Sequence, residues 1–87
     1  MRQDPAAFGD QELALIYIAR KLNDALRVEE ALTAAGVDYA VEADHYSAGF
    51  IFRRQRVGAF VYVAPGSEQR ARAVLRQARF VPFEPPA

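Results

Sequence analysis

Two apolar runs, each followed by an amphipathic stretch, set the pattern of this chain. Leu13–Ala19 (L-A-L-I-Y-I-A) is apolar along its whole length. A strand apolar on both sides is one covered on both faces, which places it in the middle of a sheet. After Arg20, Lys21 and Leu22, the residues Ala25, Val28, Leu32 and Ala35 recur at three- and four-residue spacing. Ala31 widens that stripe, while Arg27, Glu29, Glu30 and Thr33 lie outside it, as on a helix packed along one face. Asn23 or Asp24 is the expected cap, because a short side-chain oxygen accepts from first-turn amides. Gly36 is the expected stop, where a positive φ is needed.

From Val37 to Asp44 the period changes to two. Val37, Tyr39, Val41 and Ala43 face one way; Asp38, Ala40, Glu42 and Asp44 face the other. That is a strand with one buried and one wet face. Ala59–Ala64 is the second strongly apolar strand. Pro65 and Gly66 break it, and Ser67 is a suitable N-cap. Ala71, Val74, Leu75 and Ala78 form a second helical stripe, with Arg70, Arg72, Arg76 and Arg79 on the opposite, solvated face. Phe80–Phe83 could add a short edge strand, with Pro82 tolerated only at an edge. Between the second and third strands, Ser47, Ala48 and Gly49 suggest a turn and Phe50–Phe52 a short strand. Arg53, Arg54, Gln55 and Arg56 suggest a solvated tip, and Gly58 re-enters the sheet.

The order β-α-β-β-α(-β) predicts the α+β class. Its economical solution is a ferredoxin-like sandwich, two helices on one face of an antiparallel sheet. Leu13–Ala19 and Ala59–Ala64 are expected in the centre; another two-layer α+β packing is the rival. The expected core is Ile16, Ile18, Val28, Leu32, Val41, Val61, Val63, Val74 and Leu75. Residues 1–12 read as a flexible leader, 13–83 as one domain and 84–87 as a fraying end. The sheet face without helices is either wet or paired with another chain. Central strands apolar on both sides favour the second, a homo-oligomer.

Three stretches carry a family resemblance. They are Ile16-Tyr17-Ile18-Ala19-Arg20, then Glu30-Ala31-Leu32-Thr33-Ala34-Ala35-Gly36-Val37-Asp38-Tyr39-Ala40-Val41, then Val61-Tyr62-Val63-Ala64-Pro65 leading into Ala71, Val74 and Leu75. Over roughly Leu13 to Leu75 the chain resembles a small bacterial signal-transducing protein family of unknown function, related to the nitrogen-regulatory PII proteins. The resemblance implies the ferredoxin-like fold, a bacterial cytoplasmic setting and a regulatory role. It implies no catalytic residues. In PII-like proteins the loop between the second and third strands meets partners; here that position falls on His45–Gly58.

Composition narrows the classes further. With 87 residues, 52% hydrophobic, the chain has room for one core. Eleven basic and eleven acidic residues give zero net charge, unlike a dedicated nucleic-acid binder. The absence of cysteine excludes disulfides and thiolate metal sites and fits the cytoplasm. No signal peptide is expected behind Met-Arg-Gln-Asp-Pro, and Ala59–Pro65 is too short to span a bilayer.

The candidate binding residues are His45, Phe50, Phe52, Arg53, Arg54 and Arg56. Guanidinium groups beside rings suit an anion, an acidic protein surface or a nucleic acid. The same charges also suit a solvated hairpin tip that resists edge pairing, and the neutral chain favours that plainer reading. His45 is the single histidine, and adjacent strand residues such as Asp44 point away from it. No catalytic group, metal set or cofactor is expected. Ser47 and Ser67 lack a nucleophile elbow, and Gly58 and Gly66 form no phosphate loop.

The functional expectation is a non-enzymatic regulatory or protein-interaction domain in signal transduction. One alternative is a small dimeric ferredoxin-like enzyme or ligand-binding protein, its intersubunit pocket built from Tyr17, Tyr62, His45 and the arginines. Another is a degenerate RNA-binding domain. Arg56, Ala59, Phe60 and Val61 match the third-strand signature of the RNA-recognition motif, but Gly58 replaces a stacking aromatic. Such a binder would expose Tyr17 and Phe60 together on an open sheet.

Overall fold

The computed structural model describes residues 1–45 and 57–84. It is an α+β structure with a three-stranded antiparallel sheet and two helices. The elements are β1 (Ala14–Ala19), α1 (Leu22–Ala34), β2 (Ala40–His45), β3 (Val57–Val63) and α2 (Glu68–Gln77), with single 3-10 turns at Pro5–Phe8 and Pro65–Ser67. No helix among the described residues is long and apolar enough to cross a membrane.

β3, and not β1, takes the centre: the strand order is β1-β3-β2. On its outer side β1 meets the segment after α2, where Phe83 N–H donates to Ile16 O at 2.7 Å. The edge strand expected at Phe80–Phe83 does not form. Pro82 is buried there and lacks the N–H that a ladder needs.

The register decides which side chains share a face. Ala14 pairs with Val63, Leu15 with Tyr62, Tyr17 with Val61 and Ile18 with Phe60. The shift between Leu15 and Tyr17 makes Ile16 the extra residue of a β-bulge. Val61 and Val63 face the helices and are fully buried. Tyr17, across from Val61, therefore also faces the helices. Leu15 and Ile18, across from Tyr62 and Phe60, face the other way. Ile16 itself is 0% exposed and joins Val28, Leu32, Val37, Tyr39, Ala71 and Leu75 in the core cluster. Six of the nine expected core residues are buried. Val41 and Val74 pack against the cluster half-buried, while Ile18 is half-buried on the opposite face.

Both helices end in the same geometry. In α1, Gly36 N–H donates to Thr33 O at 3.0 Å and Val37 N–H donates to Leu32 O at 2.9 Å. Gly36 has φ 73°, and a Cβ there would meet nothing within 4 Å. The backbone angle, and not the lack of space, is what favours glycine at this stop. In α2, Arg79 N–H donates to Arg76 O at 3.0 Å and Phe80 N–H donates to Leu75 O at 2.8 Å. Arg79 holds the equivalent position at φ 70°, without glycine's tolerance for it.

The helix starts differ from expectation. Lys21 and not Asn23 or Asp24 is the N-cap of α1, and Asp24 lies within the first turn. Ser67 does cap α2, but its hydroxyl makes no capping hydrogen bond. Residues 1–12 contribute nothing to the core cluster. Their first part is nonetheless tied to the sheet, with Arg2 beside Tyr39 in a parallel bridge.

Candidate functional site

Among the described residues, the face of the sheet opposite α1 and α2 carries no helix. β3 supplies Phe60 and Tyr62 at its centre, and β1 supplies Leu15 and Ile18 through the bulge. β2 supplies Ala40 and Glu42, whose partners are Tyr62 and Phe60. Leu15, Ile18, Phe60 and Tyr62 are each half-buried, although no helix among the described residues covers them.

One end of this face is covered. Ala40 was expected on the wet side of its strand but is 1% exposed. Pro5, from the leader, lies across it. Pro5, Leu13, Ala40, Glu42 and Tyr62 line a cavity of about 250 Å³ that opens to solvent. Small-molecule sites are commonly enclosed and roughly 300–1,000 Å³. This hollow lies below that range and is open to solvent. Among the described residues, Glu42 is the one carboxylate that lines it.

Tyr17 lies on the other side, under the helices. Its ring meets Phe80 edge-on, with centroids 5.5 Å apart, and the Arg27 guanidinium sits 5.3 Å from the Phe80 centroid. Burial raises the Tyr17 pKa above the ordinary tyrosine value; nearby Asp24 adds to the rise and Arg27 opposes it. Tyr17 and Phe60 are thus not presented together as stacking rings. Tyr17 and Tyr62 likewise do not share one pocket within the subunit.

The arginines of α2 are not a uniform solvated face. Arg72 is buried at 9% exposure. It donates to Glu68 Oε2 at 3.1 Å through Nε, to Leu15 O at 3.5 Å, and to Phe83 O. Arg70 donates to Ala35 O at the end of α1. Arg76 pairs with Glu84 at 3.2 Å. Bare carbonyls at a helix end and along β1 recruit these guanidinium groups, a need invisible in the helical stripe.

His45 is the last residue of β2, opposite Val57. Phe50, Phe52, Arg53, Arg54 and Arg56 lie outside the described residues. Among the described residues, no three His, Cys, Asp or Glu side chains group as metal ligands. Sequence reasoning did not place Leu15 and Ile18 together on the face opposite the helices, nor Pro5 beside Ala40. The alternation around Glu42 already marked the β2 side of this face; nothing in the apolar run of β1 marked the other side.

Fold and site define a small α+β domain whose sheet carries helices on one face and a half-buried apolar row on the other. No family model, curated protein or solved structure matches the chain.

Proposed function

We propose that this chain is a non-enzymatic regulatory or protein-interaction domain acting in bacterial cytoplasmic signal transduction. The single observation that carries it is the row Leu15, Ile18, Phe60 and Tyr62 on the side of the sheet opposite the helices. A sheet face of this kind gains stability by burial against a second apolar surface. The occupant in this reading is a second copy. The chain's zero net charge sets up no long-range repulsion between copies. A ferredoxin-like arrangement is supported by the order β1-α1-β2-β3-α2. It is supported too by the Phe83 N–H bond to Ile16 O on the outer side of β1, where a fourth strand would lie. The second contact surface in this reading is the segment 45–58. Its Arg53, Arg54 and Arg56 select an acidic protein or anionic ligand.

Sedimentation velocity over a wide concentration range tests the reading. Wild-type protein should self-associate, and Phe60→Glu should remain monomeric with an unchanged circular-dichroism spectrum. A wild-type monomer at high concentration would remove the self-association. Poly-glutamate binding that weakens with salt, and is lost when Arg53, Arg54 and Arg56 all become alanine, tests the basic segment.

A further inference from the structure

Immediately before β2, on the side away from β3, the chain's own first residues pair with Tyr39. Gln3 N–H donates to Tyr39 O at 2.7 Å, and Tyr39 N–H donates to Met1 O at 3.1 Å. Arg2 therefore lies beside Tyr39 as a parallel strand neighbour would. Carboxylates back this pairing. Arg2 reaches Glu29 of α1 at 3.7 Å, and Met1 N lies 3.6 Å from Asp38. Glu29 also accepts from the Tyr39 hydroxyl at 3.3 Å, which fixes it beside the edge. Glu42 adds a third carboxylate further along the same strand.

The pairing then stops for a local reason. The Asp4 carboxylate accepts from Ala6 N–H at 2.9 Å and caps the 3-10 turn that starts at Pro5. Pro5 has no N–H to donate and turns the chain away over the helix-free face. β2 continues to His45 as an edge strand. Backbone groups alternate along a strand, so after Tyr39 the next residues with outward N–H and C=O are Val41 and Ala43. No described strand pairs with them on that side.

We propose that the β2 edge is an acceptor for an extended basic segment of another protein, added in parallel, and that residues 1–3 are its resident occupant. The partner segment carries Arg or Lys where Arg2 meets Glu29. It lacks proline in the next positions, so its pairing continues along Val41 and Ala43. Main-chain hydrogen bonds give the affinity and the acidic side chains the selection. The resident segment lowers the apparent affinity by the fraction of time it is bound. This site is a strand edge and does not rest on the self-association of the sheet face.

The test uses full-length protein and two synthetic peptides labelled at the C-terminus. One is Met-Arg-Gln-Asp-Pro-Ala-Ala-Phe; the other carries Asp4→Thr and Pro5→Val. Gln3→Pro in the protein removes the donor to Tyr39 O and loosens the resident segment. Fluorescence anisotropy at low salt should show Gln3→Pro binding both peptides at least roughly tenfold tighter than wild type, and the second peptide tighter than the first. Adding Glu29→Gln, which keeps a hydrogen-bond acceptor for Tyr39 but drops the charge, should weaken binding roughly tenfold. Arg2→Glu repeats the measurement with the backbone donor intact, and replaces Gln3→Pro if that variant unfolds. No binding to a folded, loosened variant would overturn the proposal. So would equal binding with and without Glu29→Gln, or equal binding of a peptide with Arg2→Glu.

Discussion

Arg72, on α2, donates to the carbonyl of Phe83 eleven residues further along the chain and holds the closing segment against β1. The same guanidinium reaches Leu15 O. These contacts serve the side of β1 where no ladder forms. Arg72→Ala leaves both carbonyls without this charged donor and should destabilise the fold by about 1.5–3 kcal/mol in urea unfolding. Arg72→Met retains the packing of the stem but not the bonds, and should recover only part of the loss. A change within experimental error for both would mean that the closing segment holds itself.

Arg79→Gly should stabilise the protein. A non-glycine residue in the left-handed region costs roughly 1–2 kcal/mol. Glycine gives back about 0.4–1 kcal/mol through the greater freedom of the unfolded chain. The net gain is about 0.8 kcal/mol, or a Tm rise of about 3–6 °C for a domain of this size. Gly36→Ala, at the matching stop of α1, should move in the opposite direction.

The two stops also show what the chain displays openly. Gly36 is legible, because glycine after an amphipathic stripe is a strong signal. Arg79 is not, because arginine normally marks a solvated helix position. The α+β class, both helices and all three strands follow from periodicity, since each has a clear period or an apolar run. The faces of β1 do not. Strict alternation would place Ile18 with Ile16, and the bulge separates them. A run apolar at every position has no polar residue to record such a shift. The burial of Arg72 was hidden for a related reason: beyond Glu68 on its own helix, its partners are the backbone carbonyls of Leu15 and Phe83, which carry no residue type. Of the expected binding residues, only the backbone of His45 falls within the described segments.

Alkaline pH should weaken the fold through two tyrosines. Burial raises the pKa of Tyr39; the Thr33 hydrogen bond opposes the rise, and Glu29 adds to it. Tyr39 OH donates to Glu29 and lies 3.1 Å from Thr33 Oγ1, so the single phenol proton goes to Glu29 and Thr33 donates in return. Burial likewise raises the pKa of Tyr17. Both folded-state values lie above the unfolded value, so the folded protein holds these protons after the unfolded chain has lost them. Stability is therefore complete below the ordinary tyrosine pKa of about 10 and falls as pH rises through the folded values. Urea midpoints measured from neutral pH upward should show that decline. Tyr17→Phe with Tyr39→Phe should flatten it, at the cost of lower stability near neutral pH.

Leu32 and Ile18 should separate folding from association. Leu32 is fully buried on the sheet-facing side of α1, where truncation to alanine leaves a cavity. Leu32→Ala should cost about 2–5 kcal/mol in the unfolding of dilute protein. Ile18 is half-buried on the helix-free face, beside Phe60. The bulge turns its side chain away from the helix-side core. Ile18→Ala should therefore cost less than Leu32→Ala in dilute protein, yet raise the concentration needed for self-association. Urea unfolding at low concentration gives the first quantity, and sedimentation of the same samples at high concentration gives the second. A loss for Ile18→Ala as large as that for Leu32→Ala would put Ile18 in the helix-side core and remove it from the proposed contact face. A small loss with unchanged sedimentation would leave the register intact and place the contact surface elsewhere on the domain.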